Sequence, residues 1–113
     1  MGEKNSMVYL FGFSPNFGDK LDSLFKILKE QTERRIDINI VLIHDGIIGV
    51  TKKGKTPKVL LDLLKQRLKI YAMIPDIIAR GMDSKNLLDQ VKGIGYDELV
   101  DLLVESRKIV SWM

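Results

Sequence analysis

Short apolar runs alternate along this chain with segments in which apolar residues recur every three or four positions. The short runs are rich in β-branched and aromatic residues and are bounded by turn-forming or charged residues, which is typical of buried strands. They predict five strands, the fourth of them very short, over residues 7–13, 36–43, 69–73, 91–95 and 108–113.

The segments between the strands have helical spacing. From Asp19 to about Arg34, Leu and Phe recur on one helical face with Lys and Glu between them, and Asp19 is a suitable N-cap. Thr56 and Pro57 predict a second helix start, and Gly81 predicts a helix end. The predicted helices cover residues 19–34, 58–68, 76–81 and 96–107, with a capped turn after Asp83 or Ser84.

This alternation of strands and helices over 113 residues predicts one α/β domain. We expect a three-layer α/β/α sandwich with a five-stranded, mainly parallel sheet. The second run is apolar on both faces toward its end, as a central parallel strand requires. The polar residues 1–6 predict a disordered or vector-derived extension, and residues 7–113 the single folded domain.

Composition narrows the functional classes. Hydrophobic residues make up 45% and charged residues 29%, and the formal net charge is +3, below what a dedicated nucleic-acid binder carries. The chain contains no cysteine, which excludes disulfides, thiolate catalysis and cysteine-ligated metals. We therefore expect no cofactor and no metal. Without a signal peptide or a membrane-length apolar run, we expect a cytoplasmic protein.

The only histidine, His44, stands beside Asp45 where an apolar run breaks into glycine. Imidazole next to carboxylate is typical of proton chemistry, and α/β proteins bind ligands at the carboxyl ends of their strands. However, no nucleophile motif or phosphate-binding loop accompanies the pair, and adjacent strand residues point to opposite faces. Contact with a partner is therefore favoured over catalysis, and a hydrolase that uses His44 and Asp45 is the alternative.

A basic loop follows this pair, formed by Lys52, Lys53, Lys55 and Lys58. It is either a solvated loop or a contact for an acidic partner or RNA backbone. Because no aromatic residue is interleaved for base stacking, direct RNA contact is not expected.

Arg80 and Trp112 each allow two interpretations. Arg80 precedes the helix-ending Gly81 and can cap carbonyl groups or pair with a carboxylate. Trp112 lies inside the last apolar run, as part of the core or as an exposed anchor for a partner.

Five segments, taken in order, are the most specific feature of the chain. They are Ser14-Pro15 after the first strand, Asp45-Gly46-Ile47 after the second, "IYAMIPDIIARGM" at 70–82, "GYDELVDLL" and "IVSWM". From Met7 to the end, they resemble the small sulfur-relay proteins of the DsrE/DsrF/DsrH group, in particular the DsrH and TusB branch.

The resemblance implies a parallel sheet with the last strand beside the first. It implies a role in moving sulfur as cysteine persulfide between proteins, for 2-thiolation of the tRNA wobble uridine or for intracellular sulfur oxidation. It also implies a hetero-oligomer with DsrE- and DsrF-like (or TusC- and TusD-like) subunits, and we allow a homo-oligomer when the chain is alone.

The chain departs from this pattern in two places. Some DsrH-type proteins carry a cysteine in the first helix, where this chain has Leu24 and Phe25. Because a persulfide needs a thiolate, this chain resembles the TusB-like members, whose sulfur-bearing cysteine belongs to a partner. The second departure is Leu99, where the family more often has an aromatic residue.

We therefore expect a subunit that is not an enzyme and that binds its partners through one rim of the sheet, including the segment "PDIIARG" at 75–81. The expected partner-facing residues are His44, Asp45, Gly46, Lys52, Lys53, Asp76, Arg80 and Trp112. The alternative is a small-molecule- or RNA-binding α/β domain, or the hydrolase described above.

Overall fold

The computed structural model describes residues 6–13, 20–34, 36–52, 56, 58–66 and 68–112. Its strands are β1 (Ser6–Phe11), β2 (Asp37–Leu42), β3 (Lys69–Met73), β4 (Val91–Ile94) and β5 (Lys108–Trp112). Its α-helices are α1 (Lys20–Glu33), α2 (Lys58–Leu64), α3 (Ile74–Ala79) and α4 (Tyr96–Glu105). The predicted strands are confirmed, and the helices fall between them in the predicted order.

The strands form one sheet with the order β4-β3-β2-β1-β5, in which every neighbouring pair is parallel. In the centre, β1 pairs with β2 from Ser6 opposite Asp37 to Phe11 opposite Leu42. The other side of β1 pairs with β5, so the prediction that the last strand lies beside the first is confirmed. All strands run the same way, and the sheet therefore has one carboxyl edge and one amino edge.

Helices cover both faces of the sheet, as the sandwich prediction requires. Helices α1 and α2 contact each other and bury Leu24, Leu28, Leu60 and Leu63 in the larger core cluster, together with Phe11. Helix α4 lies on the other face, where Leu99, Leu102 and Leu103 pack against a smaller cluster. None of the α4 side chains is fully buried, so this face is covered less completely.

Two helix boundaries differ from the predictions. Helix α2 ends at Leu64 rather than at residue 68, because the amide of Gln66 turns back to the carbonyl of Leu63 at 3.0 Å. Pro75, predicted to close β3, lies in the first turn of α3, where its missing N–H is not needed. The predicted caps Asp19 and Pro57 fall outside the described residues, whereas the Thr56 hydroxyl donates to the Gly49 carbonyl at 3.0 Å.

A predicted helix end and a predicted capped turn are confirmed between α3 and β4. Gly81 adopts a φ of +73°, the left-handed conformation that ends helices and favours glycine. Asp83 precedes a short 3-10 turn, Ser84–Asn86, and its side chain accepts a hydrogen bond from the amide of Lys85 at 2.9 Å. Turn chemistry in this stretch is therefore readable from local sequence.

Candidate functional site

At the carboxyl edge, β2 runs into a tight 3-10 turn, His44–Ile47. The amide of Gly46 donates to the carbonyl of Ile43 at 2.7 Å, and the amide of Ile48 donates to the backbone carbonyl of Asp45 at 3.1 Å. The amide of Ile43 donates to the Phe11 carbonyl at 3.0 Å, which joins the start of the turn to the end of β1. The backbone itself therefore fills the edge between these two strands.

Gly46 is the point of closest approach in this turn. A Cβ atom placed on it would lie 2.2 Å from the carbonyl oxygen of Phe11 and 3.1 Å from the carbonyl carbon. Backbone atoms in the central strand cannot move aside as a flexible side chain does, so only glycine fits. The sequence singled out Gly46 as part of a strand-end turn, and the structure adds this contact.

His44 adopts a left-handed backbone conformation, with a φ of +47°. Residues with a side chain rarely occupy this region, although histidine tolerates it better than most. Its amide donates to Oδ2 of Asp76, in the first turn of α3, at 3.0 Å, and the residue is exposed. An exposed side chain kept at a strained backbone position is an arrangement that clusters at functional sites.

Arg80 completes the site from just beyond α3. Its guanidinium lies 2.6 Å from Oδ1 of Asp45, and its amide bonds to the carbonyls of Asp76 and Ile77 at 3.2 and 3.3 Å. Of the two interpretations left open for Arg80, the structure shows the pair with a carboxylate. The Arg80 guanidinium engages one carboxylate oxygen of Asp45, and no hydrogen bond to the His44 ring occurs among the described residues.

The structure thus brings together His44, Asp45, Gly46, Asp76 and Arg80, which we call the strand-end rim. Exposed apolar surface accompanies it, because Ile78 of α3 is 63% exposed. Helical spacing anticipates this position: Ile77 points into the core, so the next residue turns away from it.

Of the other predicted contact residues, Lys52 lies toward β4, whereas Trp112 lies at the same carboxyl edge, at the end of β5 and opposite Phe11. Lys52 pairs with Asp89 at 2.9 Å, and its amide bonds to Asn86 in the segment that leads to β4. Trp112 is half-buried and packs onto the core, with its ring centroid 6.3 Å from that of Phe11. Lys53 lies outside the described residues.

The amino edge of the sheet contains an open cleft of about 930 Å³. It lies between the starts of the first three strands, the segment after α2 and the end of α4. It is lined by Ser6, Asp37, Ile38, Asn39, Gln66, Leu68, Lys69, Leu102, Val104, Glu105 and Ser106. No local pattern in the sequence indicates this cleft, because its walls come from four separate segments.

The described part of the chain contains neither a cluster of metal-binding side chains nor a membrane-spanning helix. Its His, Asp and Glu residues form no group of three that would hold a metal ion. None of its helices has the length and apolar character needed to cross a membrane.

Comparison with known proteins identifies the family. A family model described as "DsrH like protein" matches residues 14–109, which include the whole strand-end rim. The chain belongs to the DsrH family. Over 106 residues it is 31% identical to Protein TusB of Pectobacterium carotovorum subsp. carotovorum (strain PC1), covering 94% of this chain and all of that protein. It is 27% identical to Protein TusB of Yersinia pestis (strain Pestoides F), with the same coverage.

Solved structures support the DsrH-family fold. The chain superimposes on the ychN protein from E. coli with a TM-score of 0.80 and 16% identity, over 96% of this chain and 99% of that one. It also resembles the protein of unknown function MTH1491 from Methanobacterium thermoautotrophicum, with a TM-score of 0.73, 15% identity and coverages of 95% and 97%. At these identities the likeness shows the fold alone. The family resemblance predicted from sequence is confirmed by the family model and the TusB relatives.

Proposed function

We propose that this DsrH-family chain is a non-catalytic subunit of a sulfur-relay complex. Family membership combined with the absence of cysteine carries the proposal, because this chain has no thiolate on which a persulfide could form. The sulfur is then carried by cysteines of partner subunits, in a cytoplasmic relay that serves either tRNA wobble-uridine 2-thiolation or intracellular sulfur oxidation. The chain contributes binding surface instead of a reacting group.

The strand-end rim is the surface that we assign to this contact. Its charged groups are already held in place by the Asp45–Arg80 pair and by the bond from His44 to Asp76, so little side-chain freedom is lost on binding. Exposed Ile78 offers an apolar anchor beside them. Because the cleft lies at the opposite edge, the rim suits contact with a protein surface better than enclosure of a small molecule.

The partners that we propose are DsrE- and DsrF-like (or TusC- and TusD-like) subunits. In this arrangement the exposed ring of His44 faces a partner cysteine. An imidazole donates a hydrogen bond to a thiolate or persulfide, which stabilises the anion without taking part in bond making. The role of His44 is then to position the sulfur.

Co-expression tests the proposal. The full chain is produced together with the DsrE- and DsrF-like proteins encoded in the same genome, and the purified complex is quantified. Arg80→Met removes the guanidinium from the rim, and we expect about tenfold less complex, because a charged contact group is lost. Arg34→Met is the matched control, since it removes the Arg34–Glu30 pair (2.8 Å) from the surface of α1.

Two results would contradict the proposal. One is a wild-type chain that does not associate with these partners, and the other is a mass increase showing that the isolated chain accepts persulfide sulfur. Equal loss of complex in Arg80→Met and Arg34→Met would remove the assignment of the rim as the contact surface.

A further inference from the structure

The outer surface of α4 carries a row of exposed apolar side chains. Tyr96, Val100 and Val104 recur at every fourth residue and are 64%, 55% and 78% exposed. On the opposite layer, Ile27 of α1 and Leu61 of α2 are exposed to only 40% and 43% and stand in separate helices. Scattered exposed apolar residues are normal, whereas an aligned set marks an interaction surface.

A second row, one residue further along, is acidic. Asp97, Asp101 and Glu105 share the same spacing and are all exposed. Like charges four residues apart destabilise an isolated helix, and α4 contains no Lys or Arg to compensate. Among the described residues, no salt bridge engages any of the three carboxylates. Negative charge is thus concentrated on one helix of a chain whose net charge is +3.

Both rows end at the cleft at the amino edge of the sheet. Val104 and Glu105, the last members of the two rows, also line that cleft of about 930 Å³. The helix is therefore a ridge beside a recess, and a protein surface that lies along the ridge can insert a protruding segment into the recess.

We propose that α4 and the adjoining cleft form a docking surface for a protein subunit that presents apolar side chains bordered by Lys or Arg. The apolar row supplies buried area, and the carboxylates complement the cationic border. The same carboxylates repel phosphate groups, which excludes a nucleic-acid backbone and an anionic membrane as the occupant.

This inference deepens the proposed function, on which it rests, by adding a second partner surface. The strand-end rim lies at the carboxyl edge, whereas the α4 ridge runs to the amino edge. A cysteine-free subunit with two such surfaces holds two partners in a defined arrangement.

The test uses Val100→Lys in the full chain, co-expressed with the DsrE- and DsrF-like proteins of the same genome. The substitution interrupts the apolar row and places an ammonium group three residues after Asp97, a spacing that favours the helix. We expect the melting temperature of the isolated variant to stay the same or rise, while affinity for the partners falls at least about tenfold, the equivalent of roughly 1.4 kcal/mol. Ile27→Lys, a similar change on α1, is the control and should leave assembly unchanged.

A second measurement addresses charge alone. Asp101→Lys keeps the apolar row, and we expect it to weaken the complex and to reduce the loss of affinity that occurs when NaCl is raised from about 50 to about 500 mM. Unchanged affinity and unchanged salt dependence would overturn the proposed cationic border.

The outcomes separate this inference from the proposed function. If the wild-type chain does not bind these partners, both the proposed function and the α4 docking surface are wrong. If it binds and Val100→Lys binds equally well, only the α4 surface is wrong. If the substitution instead dissociates a self-association of the purified chain, measured by sedimentation, and leaves partner binding intact, the occupant is a second copy and the proposed partner is overturned.

Discussion

The two edges of the sheet are built differently. At the carboxyl edge the chain closes on itself, with Gly46 against the Phe11 carbonyl and a network that joins His44 to Asp76 and Asp45 to Arg80. At the amino edge the same strands begin around an open cleft of about 930 Å³. In open α/β sheets the ligand-binding crevice usually lies at the carboxyl ends, whereas the cleft described for this chain lies at the amino edge.

The close packing of the turn after β2 distinguishes the carboxyl edge from the amino edge. Where the turn after β2 packs onto β1, the space between the strand ends is occupied by backbone. The exposed polar groups of the strand-end rim lie around this packed turn. The following predictions test how far this fit extends, beginning with the largest expected effect.

Gly46→Ser tests the backbone fit at the carboxyl edge. The new Cβ would meet the Phe11 carbonyl oxygen at 2.2 Å, so the turn or β1 must shift. We expect the free energy of unfolding to fall by about 3 kcal/mol, measured by denaturant titration. Gly95→Ser is the matched control, because a Cβ there meets nothing within 4 Å and serine is a good N-cap for α4. Comparable losses in the two variants would show that the carboxyl edge is not closely fitted.

Tyr9→Phe tests an ordinary side-chain contact away from that edge. The Tyr9 hydroxyl donates to Oε1 of Gln31 at 2.6 Å and ties β1 to α1. Losing this bond should lower the free energy of unfolding by about 1 kcal/mol at neutral pH, less than the change at Gly46.

The same residue predicts a pH dependence. Burial raises the pKa of Tyr9 above its usual 10.0, and the hydrogen bond with Gln31 only partly opposes this. The folded chain therefore keeps the phenolic proton at pH values where the unfolded chain has released it. Its stabilising contribution is complete below pH 10.0 and is lost as the pH rises through the higher folded-state value.

Unfolding titrations above pH 10 measure this contribution. Wild type should lose stability there more steeply than Tyr9→Phe. Parallel curves for wild type and Tyr9→Phe would refute the linkage.

His44→Gly should have the smallest effect on stability and the opposite sign. Glycine adopts the φ of +47° without steric strain, and the backbone bond to Asp76 is retained. We expect the free energy of unfolding to rise by up to about 1 kcal/mol, while affinity for the partner subunits falls. A variant that is both less stable and fully competent to assemble would show that His44 serves the fold and not the rim.

Local patterns in the sequence were sufficient for the elements of this fold. The alternation of short apolar runs with apolar residues at helical spacing marked all five strands, and Asp83 and Gly81 marked turns through their own side chain or backbone freedom. The end of α2 was missed because Leu68 continues the apolar pattern past the last helical residue, and the pattern reports burial, not hydrogen bonding.

Only part of the candidate site could be predicted from local sequence patterns. The sequence left open whether Arg80 caps carbonyl groups or pairs with a carboxylate, and its partner Asp45 is 35 residues away. Nothing in the local sequence shows that Asp76 accepts from the amide of His44, or that Trp112 would pack on Phe11 instead of standing free. Such pairings follow from which strands are neighbours, and the family resemblance implied only that the last strand lies beside the first.

The sequence by itself determined two things about this protein. Its periodicity established an alternating α/β chain, because burial of one face imposes a repeat on the residues themselves. Its lack of cysteine excluded persulfide formation on this chain, because a persulfide forms only on a thiolate. Tertiary structure alone decided that the turn after β2 packs against Phe11, that an open cleft lies at the amino edge, and that the two rows of α4 adjoin this cleft. Those properties depend on distances between segments far apart in the chain, and no local repeat encodes such distances.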